Sequence, residues 1–386
     1  MSRVKLGDIV MRVKESVDKN NTDLIYYIGG EHFDERSLTI SRRGIIKGST
    51  IGPAFSTQFR PGDVLLMSRN PHLRKAGMVN FEGICSDVSY IIRTRDENVI
   101  MQKFIPILFQ SDAFWKFAER NKKGSTNFFL NWSDFERFEF DLPNHDIQEK
   151  LCNVLWSIYD TLDSYKEMVK QGDELIKSRF IEVFSESAKE VNLIDYVWFQ
   201  EGPGVRSTDF TDYGTILLTG SNINNNIISF GFNSDRFISN ELASGKYAHF
   251  MCDKDDILAV TSAIAPNKFD EKIVIVNEDK KYCLNTGIIR FQPNLKYLTR
   301  AYFKEFLKSE FFKSQVSDNM TGVCQMHFGP SHLKKMTLLL PQTIEEQIEF
   351  QNFVNKIDKS KAALQDGITK TLIIFKKIVN EYLKED

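Results

Sequence analysis

The residues best suited to bind another molecule form a basic stretch in the first quarter of the chain. Between positions 36 and 75 lie eight Lys or Arg residues and a single acidic residue, Asp63. Arg neutralises phosphates and can donate two hydrogen bonds to guanine, and Asn can pair in a similar way with adenine. This composition indicates a nucleic-acid contact, although a solvated surface would have the same composition.

Two polar loops in this part of the chain carry most of the candidate residues. Residues 64–67 are an apolar run typical of a strand, and the loop at 68–75 follows directly. A second loop, at 121–127, is also basic and polar. The two segments are called the first loop pair. The residues predicted here to bind nucleic acid are Arg42, Arg43, Lys47, Arg69, Asn70, His72, Arg74, Lys75, Lys122, Lys123, Ser125, Thr126 and Asn127.

The sequence matches itself after about half its length. At an offset of 198 positions, an ordered series pairs Cys85 with Cys283, Ser111 with Ser309, Phe114 with Phe312, Gly124 with Gly322 and Pro143 with Pro341. The period is too long for a solenoid or propeller repeat. The series therefore indicates two copies of one domain-sized module.

The second copy has its own equivalent loops, at 261–268 and 320–327, which are called the second loop pair. They are polar but less basic than the first loop pair. The loops recur at equivalent positions in the two copies but differ in their side chains. This is expected of two related modules that recognise different sequences, although sequence drift of a surface without function gives the same pattern. The candidates in this copy are Arg206, Ser221, Asn222, Lys246, Ser262, Asn267, Lys268, Gln325 and His327.

Each copy is followed by a stretch with apolar residues every 3.5 positions. This heptad period is the signature of a coiled-coil seam. About 40 residues at ~1.5 Å each give helices about 60 Å long. Two equivalent stripes favour pairing with each other over packing on their own modules. The predicted seam consists of Leu151, Leu155, Ile158, Leu162, Val169, Phe350, Val354, Ile357, Leu364, Ile368 and Phe375.

Composition limits the class of protein. The chain has 386 residues, a formal net charge of −2, 42% apolar and 26% charged residues. These values predict two or three globular domains and exclude both a largely disordered chain and a polycation that coats nucleic acid by bulk charge. By segment, the net charge is +3 in 1–145, −4 in 146–190, 0 in 191–342 and −1 in 343–386.

The five scattered cysteines and the polar N-terminus indicate a reduced, cytoplasmic chain. No C-x-x-C pair is present, which argues against zinc ribbons and thioredoxin-like motifs. The first residues lack the apolar region of a secretory signal, and no apolar run reaches the ~20 residues of a membrane span.

The modules are expected to be mixed, which gives an α+β fold class. Apolar or alternating runs predict strands at 64–67, 88–92, 137–142, 257–260, 273–276, 288–291 and 336–340. One amphipathic helix is predicted in each module, at 99–118 and at 298–314, and a loop at 220–226. The predicted boundaries are 1–145 for module 1, 146–190 for the central helix, 191–342 for module 2 and 343–386 for the distal helix.

Catalytic motifs are missing from the sequence. It contains no H-E-x-x-H zinc helix, no G-x-S-x-G elbow, no phosphate-binding P-loop and no N-P-P-Y-type tetrapeptide. The six His residues form no cluster with metal-ligand spacing. These absences favour a binding protein. A stand-alone DNA methyltransferase or nuclease, and a coiled-coil scaffold that binds no DNA, are the alternatives.

The order of module, long helix, module and long helix resembles the specificity subunits of Type I restriction–modification enzymes. The residues that carry the resemblance are 60–65, 68–75, Gly124-Ser125-Thr126, Leu142-Pro143 with Ile147-Gln148, and Leu340-Pro341 with 344–347. The first helix start differs from the family pattern because the usual paired Glu before Gln148 is lacking.

The resemblance implies a pseudo-two-fold architecture and a role in DNA recognition. Each module would be a target recognition domain for one half of a bipartite DNA site. The helices would pair antiparallel, set the spacing and dock methyltransferase subunits, two of them by family analogy. Restriction subunits would complete the nuclease. S-adenosylmethionine and ATP would bind those partner subunits, so this chain would hold no cofactor or metal and catalyse no reaction by itself.

Overall fold

The computed structural model describes residues 2–184, 188–231, 234–318 and 327–383. The chain divides into two compact units. Unit 1 comprises Met1–Val169 together with Ala363–Asp386, and unit 2 comprises Lys170–Ala362. Each unit therefore contains one module and parts of two long helices.

Unit 1 combines short strands with short helices. Its strands are β1 (Ser2–Lys5), β2 (Val10–Val13), β3 (Glu15–Ser16), β4 (Tyr26–Ile28), β5 (Gly44–Ile45), β6 (Phe55–Phe59), β7 (Val64–Met67), β8 (Ala76–Met78), β9 (Gly83–Ser86), β10 (Ser89–Thr94) and β11 (Glu139–Leu142). Its module helices are α1 (Leu6–Ile9), α2 (Ile105–Leu108), α3 (Asp112–Arg120) and α4 (Trp132–Phe135). The long helix α5 (His145–Phe184) begins in this unit.

Unit 2 contains the same kinds of element. Its strands are β12 (Lys189–Asn192), β13 (Val197–Glu201), β14 (Phe210–Thr211), β15 (Thr215–Leu218), β16 (Ile223–Asn224), β17 (Ile227–Ile228), β18 (Arg236–Ile238), β19 (Ile257–Val260), β20 (Ile273–Ile275), β21 (Tyr282–Leu284), β22 (Ile288–Pro293) and β23 (Thr337–Leu340). Its helices are α6 (Asn240–Ser244), α7 (Arg300–Lys308), α8 (Glu310–Asp318), α9 (Pro330–Leu333) and the start of α10 (Ile344–Tyr382).

The sheet topology repeats between the two units, which confirms the duplication predicted from the sequence. A four-stranded sheet has the order β2-β10-β7-β8 in unit 1 and β13-β22-β19-β20 in unit 2. A two-stranded sheet joins the first and last module strands, β1 with β11 and β12 with β23. Cys85 and Cys283, matched in the sequence, both lie fully buried in strands that pair in parallel.

The predicted helices at 99–118 and 298–314 are wrong as single helices. The first is a 3₁₀ turn, α2 and α3, and the second is α7 and α8. A serine breaks each one: the Ser111 hydroxyl accepts the Phe114 N–H at 3.3 Å, and the Ser309 hydroxyl accepts the Phe312 N–H at 3.2 Å. Serine is a favoured N-cap, so it starts a new helix at this point.

The predicted loop at 220–226 is partly wrong, because it contains the first strand of a small hairpin. Strands β16 and β17 pair across a turn in which Asn225 and Asn226 have φ of 50° and 61°. Asn tolerates this left-handed region better than most residues, which suits a two-residue hairpin turn. The predicted strands all have counterparts, with ends that differ by at most two residues.

The two long helices run antiparallel beside each other. In unit 1, a Cβ added at Gly367 of α10 would lie 3.4 Å from the Tyr165 ring of α5. In unit 2, Phe180 of α5 packs on Phe350 of α10, with ring centroids 5.9 Å apart. Residue numbers rise along one helix as they fall along the other, so the helices form an antiparallel coiled coil.

The predicted seam faces the interior of each unit. Leu155 has no exposed surface, and Leu162, Phe350, Val354 and Ile368 are also buried. The remaining seam positions are buried or half-buried: Leu151, Ile158, Val169, Ile357, Leu364 and Phe375. Lys361, a polar interruption of the seam, forms an ion pair with Asp173 on the neighbouring helix. Burial of each Leu-sized side chain stabilises the pairing by ~1.5–3 kcal/mol.

A fully buried glutamine ties each long helix to its module. Gln148 accepts the Met101 N–H at 3.1 Å and donates to the Val99 and Pro143 carbonyls, each at 2.9 Å. Its counterpart Gln347 accepts the Thr299 N–H at 3.0 Å and donates to the Tyr297 carbonyl at 2.9 Å. These two residues explain why the motifs at the helix starts recur. Across the described ranges, no helix is long and apolar enough to span a membrane.

Candidate nucleic-acid interface

The two segments of the first loop pair lie side by side at one end of the four-stranded sheet. Ser68 donates its N–H to the Val88 carbonyl at 2.9 Å and accepts the Leu130 N–H at 2.9 Å. Asn70 donates its N–H to the Phe128 carbonyl at 2.8 Å. Backbone pairing therefore joins loops that are about fifty residues apart in the sequence.

In module 2, the same hydrogen bonds join the start of the loop at 261–268 to the neighbouring strand and to the residue after the loop at 320–327. Thr261 donates its N–H to the Gly287 carbonyl at 2.8 Å and accepts the Phe328 N–H at 3.0 Å. The Ser262 hydroxyl and His327 Nδ1 lie 3.0 Å apart, which links the described parts of both loops. Ser68 and Thr261 therefore hold equivalent places in the two modules.

Both loops that follow these residues adopt a left-handed backbone at the same position. Asn70 has φ of 52° and Ala263 has φ of 58°. Asn occupies this region with little cost, whereas Ala pays a steric penalty of roughly 1 kcal/mol for its Cβ. A conformation kept by two such different side chains is set by the loop architecture.

The first loop pair presents a polar and basic surface. Arg69, His72, Lys123, Ser125, Thr126 and Asn127 are exposed, and Asn70 and Lys122 are half-exposed. Lys122 lies 4.2 Å from the centre of the Phe128 ring. Arg42, Arg43 and Lys47 are exposed on a separate edge near β5, where Arg42 pairs with Asp34 at 2.6 Å and Arg43 stacks on Tyr26.

Two candidate residues of the first loop pair form hydrogen bonds to other residues of module 1. Arg74 donates to Asp112 at 3.3 Å, and Lys75 donates to the Gly30 carbonyl at 2.7 Å. Arg36 pairs with the same Asp112, which also receives the Asn380 amide of α10 at 3.2 Å. Arg74 and Lys75 therefore hold parts of the module together, and we do not expect them to contact a nucleic acid.

The candidate residues of module 2 also differ in their exposure and in their contacts. Asn222 is fully buried and bonds to Thr219, Ser229 and Asp235, so the prediction that it contacts a nucleic acid is wrong. Lys246 pairs with Asp209 at 2.8 Å, and Lys268 with Glu271 at 3.2 Å, both at the surface. Arg206, Ser221, Asn267 and His327 are exposed, and Ser262 is half-buried. Gln325 lies outside the described residues.

Two residues beside the loop pairs, Lys14 and Glu201, were not predicted from the sequence. Lys14 follows Val13 of β2, whose place in the sheet is that of Gln200 in β13, the residue before Glu201. Glu201 accepts the Gly287 N–H at 3.2 Å. The available signal was that both positions lie where a strand ends beside a loop pair, and the strand register shows that the two positions are equivalent.

The described residues provide no centre for metal or thiol chemistry. They contain no group of three or more His, Cys, Asp or Glu side chains that could hold a metal ion. The four described cysteines are buried. Burial raises the pKa of Cys152 to about 11 and that of Cys85 to about 12, so these thiols are protonated at neutral pH.

Comparison with known proteins agrees with this architecture. Residues 187–372 match the family model described as Type I restriction modification DNA specificity domain. The resemblance to Type I specificity subunits is confirmed. Sequence recognition on DNA is the function that this match supports. Among curated proteins, none matches the chain significantly.

Two solved structures share the fold over nearly the whole chain. The S subunit of a Type I restriction–modification system from M. genitalium is 13% identical, with a TM-score of 0.57 over 100% of this chain and 96% of its own. A chain from a structure on complex assembly and conformational transition of the type I R-M system is 17% identical. Its TM-score is 0.53 over 99% of this chain and 97% of its own.

Proposed function

We propose that each module of this specificity subunit reads one half of a bipartite DNA site through its loop pair. Module 1 comprises residues 1–145 and module 2 comprises residues 191–342. The carrying observation is the equivalent backbone pairing at Ser68 and Thr261, whose carbonyls accept the N–H groups of Leu130 and Phe328, the residues shortly after the other loop of each module. The same framework with different side chains suits two readers of different half-sites.

The long helices are proposed to set the spacing between half-sites and to dock methyltransferase subunits. An antiparallel helix pair is stiff, and half-sites about one helical turn, ~34 Å, apart lie on one face of DNA. Because the family is non-catalytic, we propose that partner subunits carry out the chemistry. These partners are two methyltransferase subunits, which bind S-adenosylmethionine, and restriction subunits, which bind ATP. Such a complex acts on DNA in the cytoplasm.

Selection from randomised DNA duplexes tests the central proposal. The full chain, with its methyltransferase subunits if it is unstable alone, is expected to enrich a sequence of two short blocks separated by a fixed spacer. Enrichment of no sequence would contradict DNA recognition and favour a scaffold.

Methyl transfer tests the proposed division of labour between subunits. The purified chain is mixed with duplex DNA and S-adenosylmethionine, and methylated bases are counted. We expect methylation only after methyltransferase subunits are added. Methylation by the chain alone would contradict a non-catalytic role. Methylome sequencing of cells with and without the chain would then give the recognised motif.

A further inference from the structure

The Glu201 carboxylate lies beside a surface that is proposed to bind DNA, which is a polyanion. It is the last residue of β13, and its Oε1 accepts the Gly287 N–H at 3.2 Å. A Cβ added at Gly329, which follows the second loop pair, would lie 3.5 Å from Oε2. The carboxylate thus lies between Gly287, which is bonded to the loop at 261–268, and Gly329, which follows the loop at 320–327.

The loop residues of module 2 surround the same place. Gly287, with φ of 77°, would bring a Cβ within 3.0 Å of Ser262 Cβ. The Ser262 hydroxyl in turn lies 3.0 Å from His327 Nδ1. Among the described residues, only the Gly287 N–H forms a hydrogen bond with the Glu201 carboxylate. Its Oε2 therefore has acceptor capacity left for a ligand.

The equivalent position of module 1 carries the opposite charge. The strand register makes Lys14 the counterpart of Glu201, and Val88 the counterpart of Gly287. An ammonium group at this position suits phosphate oxygens or the O6 and N7 acceptors of guanine. A carboxylate repels phosphate and suits a hydrogen-bond donor, which in the major groove is the exocyclic amino group of cytosine or adenine.

We propose that Glu201 is a specificity residue that accepts a hydrogen bond from a base amino group in the half-site of module 2. This inference rests on the proposed function. A carboxylate at a DNA surface lowers affinity through repulsion unless it meets a donor, so it contributes chiefly by rejecting bases that lack the amino group.

The variant Glu201→Gln tests the proposal, because its amide oxygen can still accept the Gly287 N–H. Motifs of the wild-type and variant chains are selected from randomised duplexes. We expect one position in one half-site to lose its preference for cytosine or adenine, while the other half-site is unchanged. Lys14→Gln is the matched control and is expected to alter the opposite half-site only.

Base analogues identify the amino group. Two duplexes carry, at the affected position, pyrimidin-2-one in place of cytosine or purine in place of adenine. Wild-type affinity is expected to fall about tenfold for the analogue of the base that is read, and the Glu201→Gln chain is expected to bind both duplex types equally.

Three results separate the possible failures. An unchanged motif in Glu201→Gln, with Glu201→Ala less stable to heat, would overturn the inference and leave Glu201 as a support for Gly287. A uniform rise in affinity for all sequences would overturn it as well and show simple charge repulsion. Absence of any selected motif with the wild-type chain would contradict the proposed function itself.

Discussion

Single residues of one loop differ sharply in what they can do, as Arg69 and Arg74 show. Both belong to the basic stretch and would suit DNA equally by sequence. Arg69 is exposed at the first loop pair, whereas the Arg74 guanidinium lies 3.3 Å from Asp112 and is half-buried. The pairing with Asp112 depends on contacts that are distant in sequence, so no local pattern could separate the two arginines.

Arg69→Ala is expected to weaken recognition of one half-site only. A lost base contact costs ~1–3 kcal/mol and relaxes specificity at one position, whereas a lost phosphate contact weakens all sequences and makes the salt dependence shallower. Binding to duplexes mutated in either half-site, at several salt concentrations, measures the difference. Arg74→Ala is the matched comparison and is expected to lower unfolding stability instead. Equal losses at both half-sites would contradict independent modules.

Asp112 is expected to contribute to the free energy of unfolding in a way that is lost in acid. Burial raises its pKa, but the Arg36 hydrogen bond, the Arg36 and Lys376 charges and the Asn380 amide outweigh it, so its pKa lies below the ordinary 3.8. The ionised form is thus favoured in the folded state. Its stabilisation is complete above about pH 4 and is lost as the pH falls through the lowered pKa.

Unfolding in urea between pH 7 and pH 3 tests this contribution. Asp112→Asn is expected to be less stable than wild type at pH 7, and the difference is expected to shrink below pH 4. Asp163→Asn, at an exposed position of α5, is the control. A difference that does not depend on pH would show that the charge of Asp112 does not matter.

At the scale of elements, features that repeat along the chain could be predicted from the sequence, whereas features that depend on long-range contacts could not. The 3.5-residue period predicted both long helices because it extends over about 40 residues. The helix at 99–118 was broken by a single hydroxyl, that of Ser111, which outweighed the amphipathic pattern around it. The pairing of loops at Ser68 depends on the fold of the entire module, so sequence spacing alone does not reveal it.

The buried glutamines predict where the helices are attached to their modules. Gln148→Leu leaves the Met101 N–H and two carbonyls without partners in a buried site, which costs ~1–3 kcal/mol. Gln347→Leu is expected to cost a similar amount. Chemical denaturation measures both, and Asn153→Leu, at an exposed site on α5, is the control. Variants as stable as the control would show that the glutamines are dispensable.

At the scale of the whole molecule, duplication allows each module to change without the other. The framework bonds at Ser68 and Thr261 are the same, while the side chains beside them have diverged, as Lys14 and Glu201 show. Arg69→Ala and Glu201→Gln are therefore expected to change DNA-binding free energy additively, within ~0.3–0.5 kcal/mol. Titrations of both single variants and the double variant on one duplex measure this. A larger coupling energy would show that the modules do not read independently.

Unit 1 takes its core from two stretches of sequence that are separated by all of unit 2. Phe375, Val379 and Leu383 of α10 belong to the same buried cluster as Leu151 and Leu155 of α5. A ribosome makes these last residues only after it has made unit 2, and domains begin to fold as they emerge. The module synthesised first is thus completed last. Until translation reaches α10, Leu151 and Leu155 lack the part of their buried cluster that α10 supplies.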